Sequence, residues 1–221
     1  MVRTARGRKI SSTRWLARQL NDPYVAEARR RGYRSRAAFK LLEIDDKYAI
    51  LKPGSRVVDL GAAPGGWTQV AVERIRLPDK AAAGHRGRVV AIDIDPFDAV
   101  EGAVSTRQDL LAADASEKVI DALKGEADIV MSDMAAPTTG HHRTDHLKIM
   151  ALCEAALALA REVLAPGGVF LAKVFQGGAQ AKVLADMKRD FATVRHVKPR
   201  ASRPESAELY VLATGFRGRN P

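Results

Sequence analysis

A run of small residues interrupts an apolar stretch near residue 60, and this pattern is typical of a cofactor-binding loop. The range 57–60 reads Val-Val-Asp-Leu, Gly61 and Gly65 follow in a loop that also contains alanine and proline, and Trp67 opens a helical pattern. In a parallel sheet, a strand that ends in such a loop places a ligand at the carboxyl end of the strand. The same residues could also form an ordinary strand-to-helix turn.

The chemistry of this loop favours a cationic ligand. A pyrophosphate site would need the spacing Gly-x-Gly-x-x-Gly, whereas here Gly61 and Gly65 are separated by three residues and Asp59 precedes both. A carboxylate at this place suits a positive charge or an amine better than it suits a phosphate. S-adenosylmethionine carries both a sulfonium and an amino group, and it is therefore the cofactor that the loop predicts.

Carboxylates follow three of the predicted strands. Asp59, Asp93 and Asp133 each lie at the end of an apolar run, and the carboxyl ends of parallel strands meet at one edge of a sheet. Asp93 is placed to bind the ribose hydroxyls of an adenosyl group. Asp109, after a weaker third strand, could accept a hydrogen bond from the adenine amino group or could simply cap its own loop.

Lys173 is unusual because it lies inside the apolar run Val-Phe-Leu-Ala-Lys-Val-Phe. Burying an ammonium group is costly unless the group is paired or its pKa falls. A desolvated lysine near other cations can act as a general base at neutral pH. The alternative is a structural lysine at a strand end whose amine reaches water.

The elements that would position these residues alternate between strands and helices. Such alternation predicts an α/β fold with a mostly parallel sheet. Strands are predicted at 56–60, 88–93, 103–107, 127–133, 169–174, 193–198 and 209–214. Helices are predicted from residue 11 or 12 to Leu20, and at 35–48, 67–75, 145–164 and 179–191.

The positive charge of the chain is concentrated near its start. The 221 residues carry a net charge of +10, and the first 40 hold 12 lysines and arginines against 2 acidic residues. The remaining residues balance at 24 of each sign. A basic N-terminal segment, here called the basic arm, joined to a body without net charge is expected for a protein that binds a nucleic-acid backbone. Trp15, Tyr24 and Tyr33 could stack on bases or pack the arm onto the body.

The hydrophobic content, the single cysteine and the length of the apolar runs indicate which classes of protein are expected. The hydrophobic content of 46% is sufficient for a core. The single cysteine, Cys153, lies in an apolar run, and we expect a small buried residue rather than a disulfide partner or zinc ligand. Since no apolar run is long enough to span a bilayer, we expect a cytoplasmic protein without membrane contact.

Five short motifs are distributed along the chain. They are Ser-Arg-Ala-Ala-Phe-Lys-Leu at 35–41, the glycine loop at 58–67, Met-Ser-Asp-Met-Ala at 131–135, Leu-Ala-Pro-Gly-Gly at 164–168 and Lys-Val-Phe-Gln-Gly at 173–177. Together they resemble the FtsJ/RrmJ family of ribose 2′-O-methyltransferases. The resemblance implies a Rossmann-like class I S-adenosylmethionine-dependent methyltransferase fold, with a seven-stranded, mostly parallel sheet flanked by helices.

The resemblance also implies the site residues. The Lys-Asp-Lys-Glu catalytic tetrad of the family corresponds to Lys40, Asp133, Lys173 and Glu208. Lys173 would take the proton from a ribose 2′-hydroxyl, and Lys40 would lower the pKa of Lys173 and hold the nucleotide. The two carboxylates would orient the two cations. Cofactor contacts carried over from the family fall on Gly65, Trp67, Asp93, Asp109 and Asp133, to which the loop analysis adds Asp59 and Gly61.

By the same resemblance, we expect the substrate to be a ribose, specifically that of a uridine, in the 23S RNA of the large ribosomal subunit. The expected organisation is a basic RNA-binding extension at 1–34, a methyltransferase domain at 35–217 and a tail at 218–221. We expect the enzyme to act as a monomer and to need no metal. The adjacent His141 and His142 are expected to touch RNA or solvent, since no thiol or carboxylate partners accompany them.

Several alternatives stay open at this point. The insertion at 78–88 and the basic loop at 137–143 differ from the family pattern, which leaves a transfer-RNA ribose methyltransferase of the same family as an alternative. A non-catalytic RNA-binding protein of ribosome assembly is a second alternative. A nicotinamide-dependent dehydrogenase is disfavoured by the glycine spacing. An amine methyltransferase is disfavoured because the range 132–137 lacks a motif of the Asn/Asp-Pro-Pro-Tyr type.

Overall fold

The computed structural model describes residues 21–76, 87–137, 139–175, 180–203 and 206–218. Within these ranges the strands are β1 (Arg56–Leu60), β2 (Arg88–Asp93), β3 (Ala103–Arg107), β4 (Ala127–Ser132), β5 (Leu164–Phe175), β6 (Phe191–Val197) and β7 (Glu208–Phe216). The helices are α1 (Pro23–Arg31), α2 (Ala38–Tyr48), α3 (Gly66–Ile75), α4 (Ala115–Leu123), α5 (His142–Val163) and α6 (Gln180–Asp190).

The seven strands form one sheet in the order β3-β2-β1-β4-β5-β7-β6. Neighbours from β3 to β5 pair in parallel, whereas β7 pairs antiparallel with both β5 and β6. The strand order reverses between β1 and β4, which is the kind of switch point where α/β sheets bind ligands beyond the strand ends. This architecture confirms the predicted α/β fold with a seven-stranded, mostly parallel sheet.

Two apolar cores lie on opposite faces of the sheet. On one face, Val58 and Val90 pack with the buried sides of α4, α5 and α6. On the other face, Val57 and Val89 pack with α2 and α3. Successive residues of a strand point to opposite faces, so each valine pair supplies both cores. Burial on both faces explains why these strands are continuous apolar runs in the sequence.

Most predicted elements agree with the structure. β1, β2 and β3 have the predicted bounds. β5 begins earlier than predicted because Leu164 already pairs with Ala127, before a register shift in the ladder. α2 begins at Ala38 rather than at 35, since the preceding residues form a turn in which Ala38 N donates to Ser35 O. The helix predicted to end at Leu20 lies outside the described residues.

The sequence patterns did not indicate α1 and α4. The sequence predicts only a helix that ends at Leu20, yet Asp22 caps α1 by accepting from Tyr24 N at 3.1 Å, and Pro23 opens its first turn. The core of α4 consists of Ala115, Val119 and Leu123, spaced four residues apart. Such a short stripe is easily missed beside charged neighbours.

α1 is tied firmly to the rest of the fold. The Asp22 carboxylate lies 2.7 Å from the Arg36 guanidinium and 3.2 Å from that of Arg203. The rings of Tyr24 and Tyr33 lie 5.4 and 5.9 Å from the ring of Phe39. These two aromatic residues therefore adopt the packing role considered above.

α5 carries the single cysteine. Cys153 is 2% exposed and belongs to the core, as expected, and burial raises the pKa of its thiol to about 12. The helix has 22 residues. Neither α5 nor another helix in the described ranges combines the length and apolarity needed to cross a membrane.

Candidate active site

Four charged side chains meet at the carboxyl edge of the sheet. Lys40 comes from α2, Asp133 follows β4, Lys173 lies in β5 and Glu208 begins β7. The antiparallel register pairs Lys173 with Tyr210, which brings Glu208 close to this lysine. The structure thus brings together the four residues of the tetrad, although Lys40 and Glu208 are 168 positions apart in the chain.

The two amines and the two carboxylates form one connected cluster. The Lys173 amine lies 2.7 Å from Asp133 Oδ1 and donates to the main-chain oxygen of Asp133 at 2.9 Å. It is also 3.8 Å from Glu208 Oε2. The Lys40 amine lies 2.8 Å from Glu208 Oε1 and 3.6 Å from Asp133 Oδ2. Each carboxylate therefore contacts both lysines.

Burial makes the electrostatic effects within this cluster large. Lys40 and Lys173 are 9% and 8% exposed. Burial alone would raise the pKa of Asp133, but Lys173 and Lys40 outweigh it and hold the pKa below its ordinary value. Burial alone would lower the pKa of Lys173, but the carboxylates of Asp133 and Glu208 prevail and raise it.

The raised pKa of Lys173 differs from the effect that a second lysine alone would have. The resemblance implied that Lys40 would lower this pKa by like-charge repulsion. In the free protein the two carboxylates lie 2.7 and 3.8 Å from the Lys173 amine and dominate its surroundings, so that the net effect is a raised pKa. A loss of negative charge or a gain of positive charge at the site would favour the neutral Lys173 amine.

Tyr210 is a member of the cluster that the sequence analysis did not identify. Its hydroxyl donates to Asp133 Oδ1 at 2.6 Å and accepts from the Lys40 amine at 3.0 Å. Tyr210 is 0% exposed, and burial with the nearby carboxylates raises the pKa of its hydroxyl well above the ordinary value. Strand alternation could have indicated this residue, since Tyr210 lies two residues after Glu208 and therefore on the same face of β7.

The glycines of the loop are required by close packing against other parts of the chain. A Cβ at Gly61 would lie 2.3 Å from Met134 Cγ, and a Cβ at Gly66 would lie 2.3 Å from Ser35 Oγ. Gly65 has a φ of +111°, which glycine adopts without strain. The sequence analysis attributed these glycines to the approach of a ligand. The structure shows that they also admit neighbouring segments.

Two of the predicted cofactor residues lie at the end of β2 and on the loop that follows β3. Asp93 Oδ2 accepts from Ala63 N at 2.9 Å and so connects β2 to the glycine loop. Asp109 Oδ1 accepts from Leu111 N at 2.9 Å, which is the loop-capping role considered above. The apolar side chains next to these carboxylates, Ile94 and Leu111, are 60% and 75% exposed.

Trp67 connects the cofactor loop to the catalytic cluster. It is 3% exposed, and its indole nitrogen donates to the main-chain oxygen of Ala37 at 2.8 Å. Its ring centroid lies 5.6 Å from that of Tyr210. Trp67 therefore packs the start of α3 against the start of α2, the helix that carries Lys40.

Asp59 is buried beneath the loop. It is 0% exposed, its Oδ2 accepts from Thr68 Oγ1 at 2.6 Å, and within the described ranges its Oδ1 has no hydrogen-bond partner. Burial, opposed by the Thr68 hydrogen bond, raises the pKa of Asp59 to about 7. The geometry gives Asp59 a role in holding α3 through Thr68, and the direct cofactor contact stays a prediction.

We compare the free energy of unfolding of Asp59→Asn with that of the wild type. The difference is expected to shift in favour of the variant as the pH rises from about 4 to about 7, and to stay constant above that. Within this window the unfolded aspartate is ionised while the folded one keeps its proton, so rising pH favours unfolding of the wild type. Between pH 5 and pH 7 the difference in unfolding free energy should grow by roughly 2 kcal/mol. Urea unfolding at pH 5 and pH 7 measures this difference, and the same measurement on Asp121→Asn, at an exposed position, is the control. A difference that does not change with pH would contradict the raised pKa.

The described residues include no group of three His, Cys, Asp or Glu side chains arranged to hold a metal ion. His141 is exposed and precedes α5. The positive charges at the centre of the site are lysine amines, and the carboxylates nearest to them are paired with those amines.

Similarity to known sequences points to one family. Residues 33–216 match the family described as FtsJ-like methyltransferase. The ribosomal RNA large subunit methyltransferase E of Parvibaculum lavamentivorans is 62% identical over 221 residues, covering 99% of this chain and 87% of the relative. The protein of the same name from Bradyrhizobium sp. is 60% identical over 220 residues, covering 100% of this chain and 93% of the relative.

Solved structures share the fold. A crystal structure named for a ribosomal RNA methyltransferase of Plasmodium falciparum has a TM-score of 0.73 and 28% identity, covering 85% of this chain and 100% of that one. A second, named for an rRNA methylase of Clostridium thermocellum, has a TM-score of 0.54 and 20% identity, and it supports the fold alone. From the match over residues 33–216 and the relatives near 60% identity, the chain belongs to the FtsJ-like methyltransferase family.

Proposed function

We propose that this methyltransferase moves a methyl group from S-adenosylmethionine to the 2′-hydroxyl of a ribose in the 23S RNA of the large ribosomal subunit, with a uridine as the expected target. The observation that carries the proposal is the buried cluster of two lysines and two carboxylates beside the glycine loop. A ribose hydroxyl keeps its proton at neutral pH, so its methylation requires a proton acceptor. The names of the relatives support ribosomal RNA as substrate, and such a substrate implies a cytoplasmic enzyme.

The carboxyl edge of the sheet fits the adenosyl part of S-adenosylmethionine. When bound, this cofactor supplies a methyl carbon that its positively charged sulfur releases to an attacking oxygen. Asp93 would bind the ribose hydroxyls, and Asp109 would accept from the adenine amino group. The exposed side chains of Ile94 and Leu111 offer the apolar surface that an adenine ring needs.

The glycine loop fits the other end of the cofactor. Residues 61–66, supported by Trp67, would enclose the methionine part, and the carboxylate of Asp133 would attract its positive charges. Asp133 already balances two lysines in the free protein. A further positive charge at this edge would compete with those lysines for the same carboxylate.

Lys173 is the proton acceptor in this proposal. Its neutral amine takes the proton of the 2′-hydroxyl while the ribose oxygen forms its new bond to carbon. The main-chain oxygen and Oδ1 of Asp133, at 2.9 and 2.7 Å from the amine, fix its position and stabilise the ammonium group that results. Asp133 thus orients the base and compensates its charge.

Lys40 and Glu208 complete the site. Ser202 Oγ donates to Glu208 Oε1 at 2.8 Å, and this hydrogen bond directs the carboxylate toward the Lys40 amine. Lys40 in turn donates to the hydroxyl of Tyr210. We assign Lys40 to hold the target nucleotide beside Lys173, and Glu208 to keep Lys40 in place.

Glu208→Gln is expected to shift the pH dependence of methyl transfer to lower pH. Burial lowers the pKa of Lys173 while Asp133 and Glu208 raise it, so loss of the Glu208 charge increases the fraction of neutral amine. With saturating cofactor, the single-turnover rate of the wild type should rise about tenfold per pH unit below the pKa of the base. The exposed Glu117→Gln is the matched control. Superimposable profiles of Glu208→Gln and the wild type would contradict this role.

The proposed RNA surface begins with the basic arm at 1–34. Residues 1–20 lie outside the described ranges, and the described part of the arm, 21–34, carries Arg29, Arg30 and Arg31 in the last turn of α1. Arg30 and Arg31 pair with Glu27 at exposed positions, where phosphates could replace it. We assign this arm to the RNA backbone and residues 35–217 to catalysis.

The proposal is tested with purified enzyme and S-adenosylmethionine labelled in the methyl group. Large ribosomal subunits and transfer RNA, both from a strain that lacks the gene, serve as substrates and are digested to nucleosides after the reaction. We expect label in a 2′-O-methylated nucleoside, 2′-O-methyluridine, from the large-subunit RNA. Label in transfer RNA alone would favour the transfer-RNA alternative, and binding to subunits without transfer would favour a non-catalytic protein.

A further inference from the structure

Arg34 lies between α1 and α2, and its side chain joins two loops that are distant in sequence. Its Nη1 donates to the main-chain oxygens of Pro64, at 3.2 Å, and of Asp98. Its Nη2 donates to the main-chain oxygen of Ala99 at 2.7 Å. Pro64 belongs to the glycine loop, whereas Asp98 and Ala99 belong to the loop that follows β2. A single guanidinium therefore bridges both loops.

The glycine loop is shaped to admit this arginine. A Cβ at Gly65 would lie 2.8 Å from Val100 Cγ2 and 3.0 Å from Arg34 Nη1, and a Cβ at Gly66 would lie 2.3 Å from Ser35 Oγ. A side chain at Gly65 would collide with Val100 and the Arg34 side chain, and a side chain at Gly66 would collide with Ser35. Glycine at positions 65 and 66 therefore leaves the space that neighbouring residues of the protein occupy.

Gln69 holds the main chain of the same segment from the side of α3. Its Oε1 accepts from Arg34 N at 2.8 Å, and its Nε2 donates to the main-chain oxygen of Gly32 at 3.0 Å. α3 begins directly after the glycine loop. Arg34 is therefore fixed at its main chain by α3 and at its guanidinium by the two loops.

We propose that Arg34 is a positioning residue of the cofactor site, which sets the distance between the glycine loop and the loop that follows Asp93. The inference rests on the proposed function, because these loops are assigned there to the methionine and adenosyl ends of S-adenosylmethionine. A planar guanidinium can donate to three carbonyl oxygens in one plane, whereas a lysine amine is a point charge on a flexible stem. Although Arg34 lies within the basic arm, its donors are directed at protein oxygens.

The test compares Arg34→Gln with Arg29→Gln, which removes the same charge from an exposed position five residues earlier. Arg34→Gln is expected to weaken S-adenosylmethionine binding and to raise its KM about tenfold or more. The kcat at saturating cofactor should stay within about twofold, because the catalytic cluster is untouched. Arg34→Lys should give an intermediate KM. Arg34→Gln should lower the affinity for large ribosomal subunits no more than Arg29→Gln does, because the Arg34 guanidinium is engaged by protein oxygens.

Gln69→Ala provides a second variant in case Arg34→Gln does not fold, and it should raise the KM for the cofactor in the same direction. Unchanged cofactor affinity in the folded variants, whatever happens to subunit binding, would overturn the positioning role. A larger loss of subunit affinity in Arg34→Gln than in Arg29→Gln, with cofactor affinity intact, would assign Arg34 to RNA instead. A wild type that does not bind S-adenosylmethionine would refute the proposed function itself, so the two failures are distinguishable.

Discussion

Replacing Lys173 with methionine is expected to lower the rate of methyl transfer by roughly a thousandfold, the typical contribution of a positioned general base. Methionine preserves most of the apolar stem that β5 buries and removes only the group that would accept the ribose proton. The cofactor should bind at least as tightly as in the wild type, because Asp133 and Glu208 lose one competing positive charge. Single-turnover transfer and calorimetric titration with S-adenosylmethionine measure the two effects.

The control for this variant is Lys182→Met, which removes an exposed lysine from α6. It should leave both the rate and the cofactor affinity unchanged. If Lys173→Met retained the wild-type rate, another group would have to accept the proton. If it lost cofactor binding together with the rate, Lys173 would be a binding residue rather than the base.

Replacing Asp133 with alanine is expected to abolish transfer and to lower the free energy of unfolding by about 3 kcal/mol. Asp133 is the carboxylate that accepts from the Tyr210 hydroxyl and lies nearest to the Lys173 amine. Its removal leaves a buried ammonium without its nearest partner, which is more costly than the loss of an exposed ion pair. Asp133→Asn should lose activity to a similar extent but retain more stability, since its amide oxygen still accepts a hydrogen bond.

Urea unfolding of Asp133→Ala and Asp121→Ala separates the buried pair from a surface pair. Asp121 contacts Lys124 at 2.9 Å, with its side chain 82% exposed, and its removal should cost under about 1 kcal/mol. Equal losses in the two variants would show that the cluster around Asp133 is no better shielded from water than the surface pair.

Patterns within single elements made much of this architecture predictable. The valine-rich runs of β1 and β2 are buried on both faces, so their bounds follow directly from the sequence. Asp93 ends β2 and Asp133 follows β4, as predicted for parallel strands that end at one edge, whereas Asp59 lies within β1 and is fully buried. Contacts between elements were harder to foresee: alternation from Glu208 indicates the face of β7 on which Tyr210 lies, but its pairing opposite Lys173 is visible only in the structure.

The net electrostatic effect at Lys173 could not be predicted from residue types alone. A second lysine in the site suggested a lowered pKa, but the distances to Asp133 and Glu208 reverse the sign. Residue types alone also did not show where the basic arm ends and the folded domain begins. Asp22 and Arg34 contact the body directly, so an arm deletion designed to test RNA binding should end before residue 21.

The most direct measurement is the pKa of Lys173 in the free and in the cofactor-bound enzyme. NMR of lysine labelled with carbon-13 at Cε monitors the titration, and the Lys173 signal is assigned as the one that is missing in Lys173→Met. S-adenosylhomocysteine has a neutral sulfur and serves as the matched ligand. We predict that the pKa, raised in the free protein, falls when S-adenosylmethionine binds and falls less with S-adenosylhomocysteine, because only the former adds a positive charge at the sulfur. An equal or higher pKa in the S-adenosylmethionine complex would contradict the role of Lys173 as the base.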